Sequence, residues 1–174
     1  KQCGFLFYVP ADYTSKICPV TGFVNLLRPK YTNREDAIKL LEKFDKIYYD
    51  TKNNHFRFDF DYKKWDKLRV DVSELTRTEW SVCSHSATRS VPVQINNRWV
   101  YPPINVNEKL IKLFTGKNID YTKGESLIGD ITKVNDAKFF EELLELLSAL
   151  LALSHTYKAK NENGLDIELD TIVS

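Results

Sequence analysis

Methionine is absent from this 174-residue chain. A chain that starts at its own start codon opens with methionine. This one opens with Lys1 and stops at Ser174, so it is expected to be a piece of a longer polypeptide. Cysteine is scarce: Cys3, Cys18 and Cys83 form an odd, scattered set. They supply no disulfide framework and no CxxC spacing for zinc, which points to an intracellular chain with free thiols. The net charge of +1 lacks the cationic excess that grips nucleic acid over a whole surface, while leaving room for a local basic edge. No apolar run reaches membrane-spanning length. The GxxxxGK[ST] spacing of a phosphate-binding P-loop is missing, and no internal repeat stands out.

What is present is an ordinary globular composition, 43% hydrophobic and 28% charged, in a length that suits one domain with a real core. "GFLFYV" reads as a strand buried on both faces, ending at Pro10. "YTSKICPVTGFVN" follows as a bend, with Pro19 removing a backbone donor and Gly22 permitting positive φ. Thr32 and Glu35 stand three apart like a capping box. Ala37, Leu40, Leu41 and Phe44 then form one helical stripe, so a helix is expected from Thr32 to about Phe44.

The period then changes to two. Ile47 and Tyr49 alternate, "DTKNN" turns the chain, and Phe56, Phe58, Phe60 and Tyr62 alternate with His55, Arg57, Asp59 and Asp61. This predicts an antiparallel hairpin with one buried and one solvated face. "EWSVC" reads as a strand and "SHSAT" as a small-residue turn. Val91, Val93 and Ile95 form an edge strand that turns at Asn96-Asn97, with Pro92 confining it to an edge. Asn105 and Glu108 start a helix that Gly116 stops. A long apolar helix is expected from an N-cap at Asn135 to about Ser154, then a mobile "KAKNENG" loop and an extended "LDIELDTIVS" tail. Strands and helices mix without βαβ alternation. The expected class is α+β: a mixed, mainly antiparallel sheet packed against a few helices, including a long apolar C-terminal helix.

Four groups could carry chemistry. Cys18 has no histidine near it in sequence to activate it, so a plain thiol in a bend is the better reading. Asp59 and Asp61 share a strand face and could hold Mg²⁺, but no third carboxylate falls in register, and a solvated strand face is favoured. Thr14, Ser15 and Lys16 combine two hydroxyls and an ammonium, with Arg28 and Lys30 downstream. The residues alone leave a phosphate grip and a polar turn evenly balanced. Arg89, Ser154, His155, Lys158 and Lys160 sit where ordered elements end, as binding residues and ordinary loops both do.

"FLFYVPADYTSKICPVTGFVN" closely resembles a segment of the type V-A CRISPR-associated effector endonucleases, the Cpf family. The likeness continues through "FDKIYYD…FRFDFDYKKW", "WSV…R", "AKFFEELLELLSALL" and "LDTIVS", nearly the whole chain. The resemblance implies a single Nuc-like domain over residues 1–174, inserted between parts of a split RuvC nuclease domain. It implies an RNA-guided DNA endonuclease, a prokaryotic, cytoplasmic hydrolase of antiviral defence. In such an enzyme the Nuc domain positions target-strand DNA and RuvC hydrolyses phosphodiesters with Mg²⁺. The isolated piece would then be inactive and hold no cofactor of its own. The implied partners are target DNA, guide RNA and RuvC in cis, with a monomeric protein and no membrane. The DNA-contacting or positioning set is Thr14, Ser15, Lys16, Arg89, Ser154, His155, Lys158 and Asp170. The family's "QMRNS"-like motif carries an arginine important for target-strand cleavage. Its position falls on Ser154, so no catalytic residue carries over to this chain. Ser15, Lys16, Arg89, His155 and Asp170 are expected to converge on one polar edge. The competing readings are a stand-alone protein-interaction module and a metal-dependent nuclease in its own right, the latter resting on Asp59 and Asp61.

Overall fold

The computed structural model describes residues 23–66, 68, 71–75, 77–84, 88–90, 93–160 and 166–172. For residues 74, 88–90, 93, 153–160 and 166–172 it describes the backbone. The opening strand and bend, with Thr14, Ser15, Lys16 and Cys18, lie outside the described residues.

Helix α1 (Arg34–Leu41) begins where the side chain of Asn33 accepts the Asp36 backbone N–H at 2.8 Å. The cap is therefore Asn33 rather than the expected Thr32, in keeping with the stronger capping of an amide side chain. The helix stops short of Phe44, but Phe44 stays in the core, meeting Phe58, Phe60 and Trp65 edge to face. Arg34 ties α1 to a later loop. Its Nε donates to the carbonyl of Val134 at 2.9 Å, and its terminal nitrogen donates to that of Thr132 at 2.7 Å.

Strands β1 (Lys46–Asp50) and β2 (His55–Asp61) form the expected hairpin, with Asn54 taking φ 55° at its turn. β3 (Glu79–Cys83) pairs with the other edge of β2. β4 (Thr88–Ser90) pairs with β7 (Pro103–Asn105), and β5 (Val93–Ile95) with β6 (Arg98–Val100). Helix α2 (Val106–Thr115) starts as its sequence foretold, the Asn105 side chain accepting from Glu108 N–H at 3.1 Å. Helix α3 (Ile128–Ile131) is a single turn, held to β1 by Leu127 N–H donating to the Ile47 carbonyl at 2.7 Å.

Helix α4 (Ala137–Leu153) follows, started by the Asp136 carboxylate, which accepts Lys138 N–H at 2.9 Å in place of the expected Asn135. Phe139, Phe140, Leu143, Leu144, Leu147, Leu150 and Leu151 are buried, and Glu141, Glu142 and Glu145 keep one exposed face.

The chain turns directly from this helix into β8 (Ser154–Lys160), which pairs with β9 (Asp166–Ile172) in the extended tail, so the last elements of the described chain are strands rather than a C-terminal helix. The first residues of the expected mobile "KAKNENG" loop belong to a strand. The result is an α+β fold with an antiparallel five-stranded sheet in the order β1-β2-β3-β8-β9 and several helices. Phe56, Phe58, Phe60, Trp80 and Val82 share one buried cluster with residues of α1, α2 and α4. Among the described residues, no helix is long and apolar enough to cross a membrane.

Candidate nucleic-acid interface

The face of the sheet opposite the aromatic core is polar, and at β2 it is not solvated as the alternation implied. Arg57 is only 1% exposed and His55 2%. Two nitrogens of Arg57, Nε and a terminal one, donate to the Ser81 hydroxyl at 3.2 and 3.0 Å, and Ser81 in turn donates to Asp59. Asp50 lies 4.0 Å from the same guanidinium. Burial pushes the Asp50 carboxyl up, but hydrogen bonds from the Asn53 side chain and from the N–H groups of Asn53 and Lys52, with the His55 charge, hold it below the usual carboxylate range. A guanidinium placed so deep needs such partners, because an unpaired buried charge is costly. On the polar face of β2, His55 and Arg57 are buried while Asp59 and Asp61 are only partly so.

Register extends this polar row across the sheet. Asp59 pairs with Ser81, Ser81 with Thr156, and Thr156 with Asp170. Directly opposed residues of an antiparallel sheet share a face, and residues two apart on a strand do too. Ser154, Lys158 and Asp170 therefore occupy positions on the Asp59 and Ser81 face. His155 pairs with Thr171 and occupies a position on the other face, so the alternation separates it from Asp170. Arg89 stands apart from all of these, opposite Ile104 in the β4–β7 ladder. Ser15 and Lys16 are outside the described residues.

Asp59 and Asp170 are three strand spacings apart, roughly 14 Å, too far for one cation to bridge. Asp61 is occupied locally, its carboxylate accepting Lys63 N–H at 3.0 Å to cap a short turn of 3₁₀ helix. Among the described residues, no three His, Cys, Asp or Glu side chains gather as metal ligands. An open cleft of about 460 Å³, lined by the chain segments after α2 and before α4, carries Lys117, Lys123 and Lys133. Each pairs with its own aspartate: Lys117 with Asp136 at 2.5 Å, Lys123 with Asp120 at 3.7 Å and Lys133 with Asp130 at 2.8 Å. That charge is neutralised locally.

Two features were missed from sequence. One is the buried Arg57–Ser81–Asp59 chain. The other is the β4–β7 pairing, which extends the expected Asn96-Asn97 hairpin into a ribbon of β4 to β7. Its tip turns on Asn96 and Asn97 at φ 50° and 61°, the two left-handed residues of a type I′ turn. Its two ends are clamped just outside it. Ser84 donates its hydroxyl to Asn107 and accepts Phe56 N–H at 2.8 Å, while the Asn107 amide donates to the Asn54 carbonyl at 3.0 Å. Ile95, Trp99, Val100 and Tyr101 near the tip are exposed. A sequence signal existed: residues 80–107 contain no Asp or Glu in a chain that has 24.

The family model described as a nuclease domain (NUC) matches residues 17–174. The chain belongs to that family, the Nuc domain found in type V-A CRISPR effectors.

Proposed function

We propose that this Nuc domain is inserted between the parts of a split RuvC domain in an RNA-guided DNA endonuclease and positions target-strand DNA for the RuvC site. The observation that carries this reading is the strand register. It brings Ser154, Lys158 and Asp170, distant from β2 in sequence, onto the sheet face of Ser81 and Asp59, directly after α4. Phosphodiester hydrolysis in such an enzyme belongs to RuvC, where Mg²⁺ activates water. Target sequence is selected by guide RNA pairing, so this domain has a strand to place rather than a sequence to read. Thr14, Ser15, Lys16, Arg89 and His155 are the other proposed contacts. The parent acts as a monomer in the prokaryotic cytoplasm.

The rival reading, a metal nuclease centred here, is weakened by its own acids. Asp59 accepts from Ser81, and Asp61 caps a turn. The positioning reading is tested in the guide-loaded full-length protein with strand-resolved cleavage of a labelled duplex. Lys158→Ala and Asp170→Asn should each slow target-strand cutting about tenfold, the effect of roughly 1.4 kcal/mol, and leave the other strand near its normal rate. Wild-type rates on both strands would overturn it. Mg²⁺-dependent cleavage by this chain alone, lost in Asp59→Asn, would favour the rival.

A further inference from the structure

We infer that the β4–β7 ribbon is a stacking arm for single-stranded nucleic acid, taking bases on Trp99 and Tyr101. Trp99 is 63% exposed and Tyr101 61%, although large rings are ordinarily the main apolar contributors to a core. A two-stranded ribbon with such rings is marginal by itself and gains from an occupant.

The occupant is identified by charge and spacing. The ribbon has no carboxylate and carries Arg89 and Arg98, with Arg98 exposed at the tip. A polyanion meets no repulsion there. Trp99 and Tyr101 stand two residues apart, about 6.8 Å along an extended strand. That is twice the 3.4 Å step between stacked bases, so the spacing admits one base between the rings or one base on each. Gln94 lies directly opposite Trp99, where its amide can donate to and accept from a base edge. Ring, guanidinium and amide together are the equipment of a sequence-tolerant single-strand site. The clamp of Ser84 and Asn107 fixes the ribbon's base against the sheet and α2, so the rings sit on a held arm.

This inference rests on the nuclease-domain membership and the ribbon's own residues, not on the target-strand reading. Its test is accordingly separate from cleavage. The full-length protein is irradiated with a single strand containing bromodeoxyuridine, and the adducts are located by mass spectrometry. Adducts on Trp99 or Tyr101 are expected. The Trp99→Ala/Tyr101→Ala variant should lose them and bind oligo-dT about tenfold more weakly, while Trp99→Phe stays within about threefold of wild type. Arg98→Ala should lower the salt slope of binding by about 0.7. Adducts confined to other segments, with unchanged oligo-dT affinity in the double variant, would overturn the inference. So would sedimentation showing that the double variant abolishes self-association while single-strand binding persists, which would make the arm a contact between copies. In the double variant, normal strand-resolved cleavage with lost ribbon adducts would still support the arm, whereas target-strand defects in Lys158→Ala with no adduct on Trp99 or Tyr101 in the wild type would leave only the positioning reading standing.

Discussion

Arg57 donates two hydrogen bonds to the one hydroxyl of Ser81, at 3.2 and 3.0 Å, inside a sheet where its own side chain is 1% exposed. The hydroxyl relays this contact to Asp59. Charge enters the polar face already compensated, and the sheet is fixed at the row that later reaches Thr156 and Asp170.

Ser81→Ala removes the relay and takes one hydrogen-bond partner from both Arg57 and Asp59. The expected loss is about 1–3 kcal/mol, the cost of stranding buried polar groups. In a chain of this size that lowers Tm by very roughly 2–4 °C per kcal/mol. Thermal unfolding measures it. A Tm within a degree of wild type would show that the relay is not structural.

The acid side of stability is set elsewhere. The Lys117 ammonium, helped by backbone N–H groups, holds Asp136 below the usual carboxylate range. The Thr122 hydroxyl and N–H do the same for Asp120, and Lys133 for Asp130. Each folded carboxylate releases its proton more readily than its unfolded counterpart. Between the two values the unfolded state binds more protons, so stability rises with pH. The contribution is complete above a pH of about 4 and is lost as pH falls through the lowered values. These groups are exposed, so each effect is small. Asp136→Asn keeps a cap on α4 but should flatten part of the Tm decline between neutral and acid pH. An unchanged decline would show that Asp136 carries no linkage.

Much of this was legible in the sequence where local rules decide the outcome. The Asn105 cap, the aromatic alternation of β2 and the Asn96-Asn97 turn all depend on near neighbours. The tail reads as extended, but β8 was not legible, because "KAKNENG" has loop composition and its first residues become strand by pairing with that tail across a short connection. Arg57 was misread for a related reason. A charged residue at every second position reads as a solvated face, and only the burial of His55 and Arg57, beside the partly buried Asp59 and Asp61, shows that half of that face is enclosed. The polar row at the candidate site shares this origin: its members come from β2, β3, β8 and β9, and pattern along a chain carries no information about register between remote strands.

Ser154 opens β8 where the family's "QMRNS"-like motif would place an arginine. Arginine offers a permanent charge and a two-pronged phosphate contact that serine lacks. Ser154→Arg in the guide-loaded full-length protein should raise target-strand nicking by about tenfold, as one charge-assisted hydrogen bond implies. Time courses on a nicked plasmid measure it. Unchanged rates would mean that other groups already supply the contact.

The ribbon's tip depends on two residues that accept positive φ, Asn96 at 50° and Asn97 at 61°. Asparagine and glycine take that conformation readily, whereas a β-branched residue is strained by about 1–2 kcal/mol. Asn97→Gly should therefore leave the ribbon intact, and Asn97→Val should open it. The ribbon projects beyond the main core, so opening it is a local event with little effect on global Tm. Hydrogen exchange at residues 93–100 is the proper readout: protection should fall in Asn97→Val and persist in Asn97→Gly. If Trp99 and Tyr101 stack bases only when the ribbon holds them in register, bromodeoxyuridine adducts should disappear in the valine variant and survive in the glycine one. Loss of exchange protection with adducts intact would show that the rings act without the ribbon, and the strand spacing would then play no part in recognition.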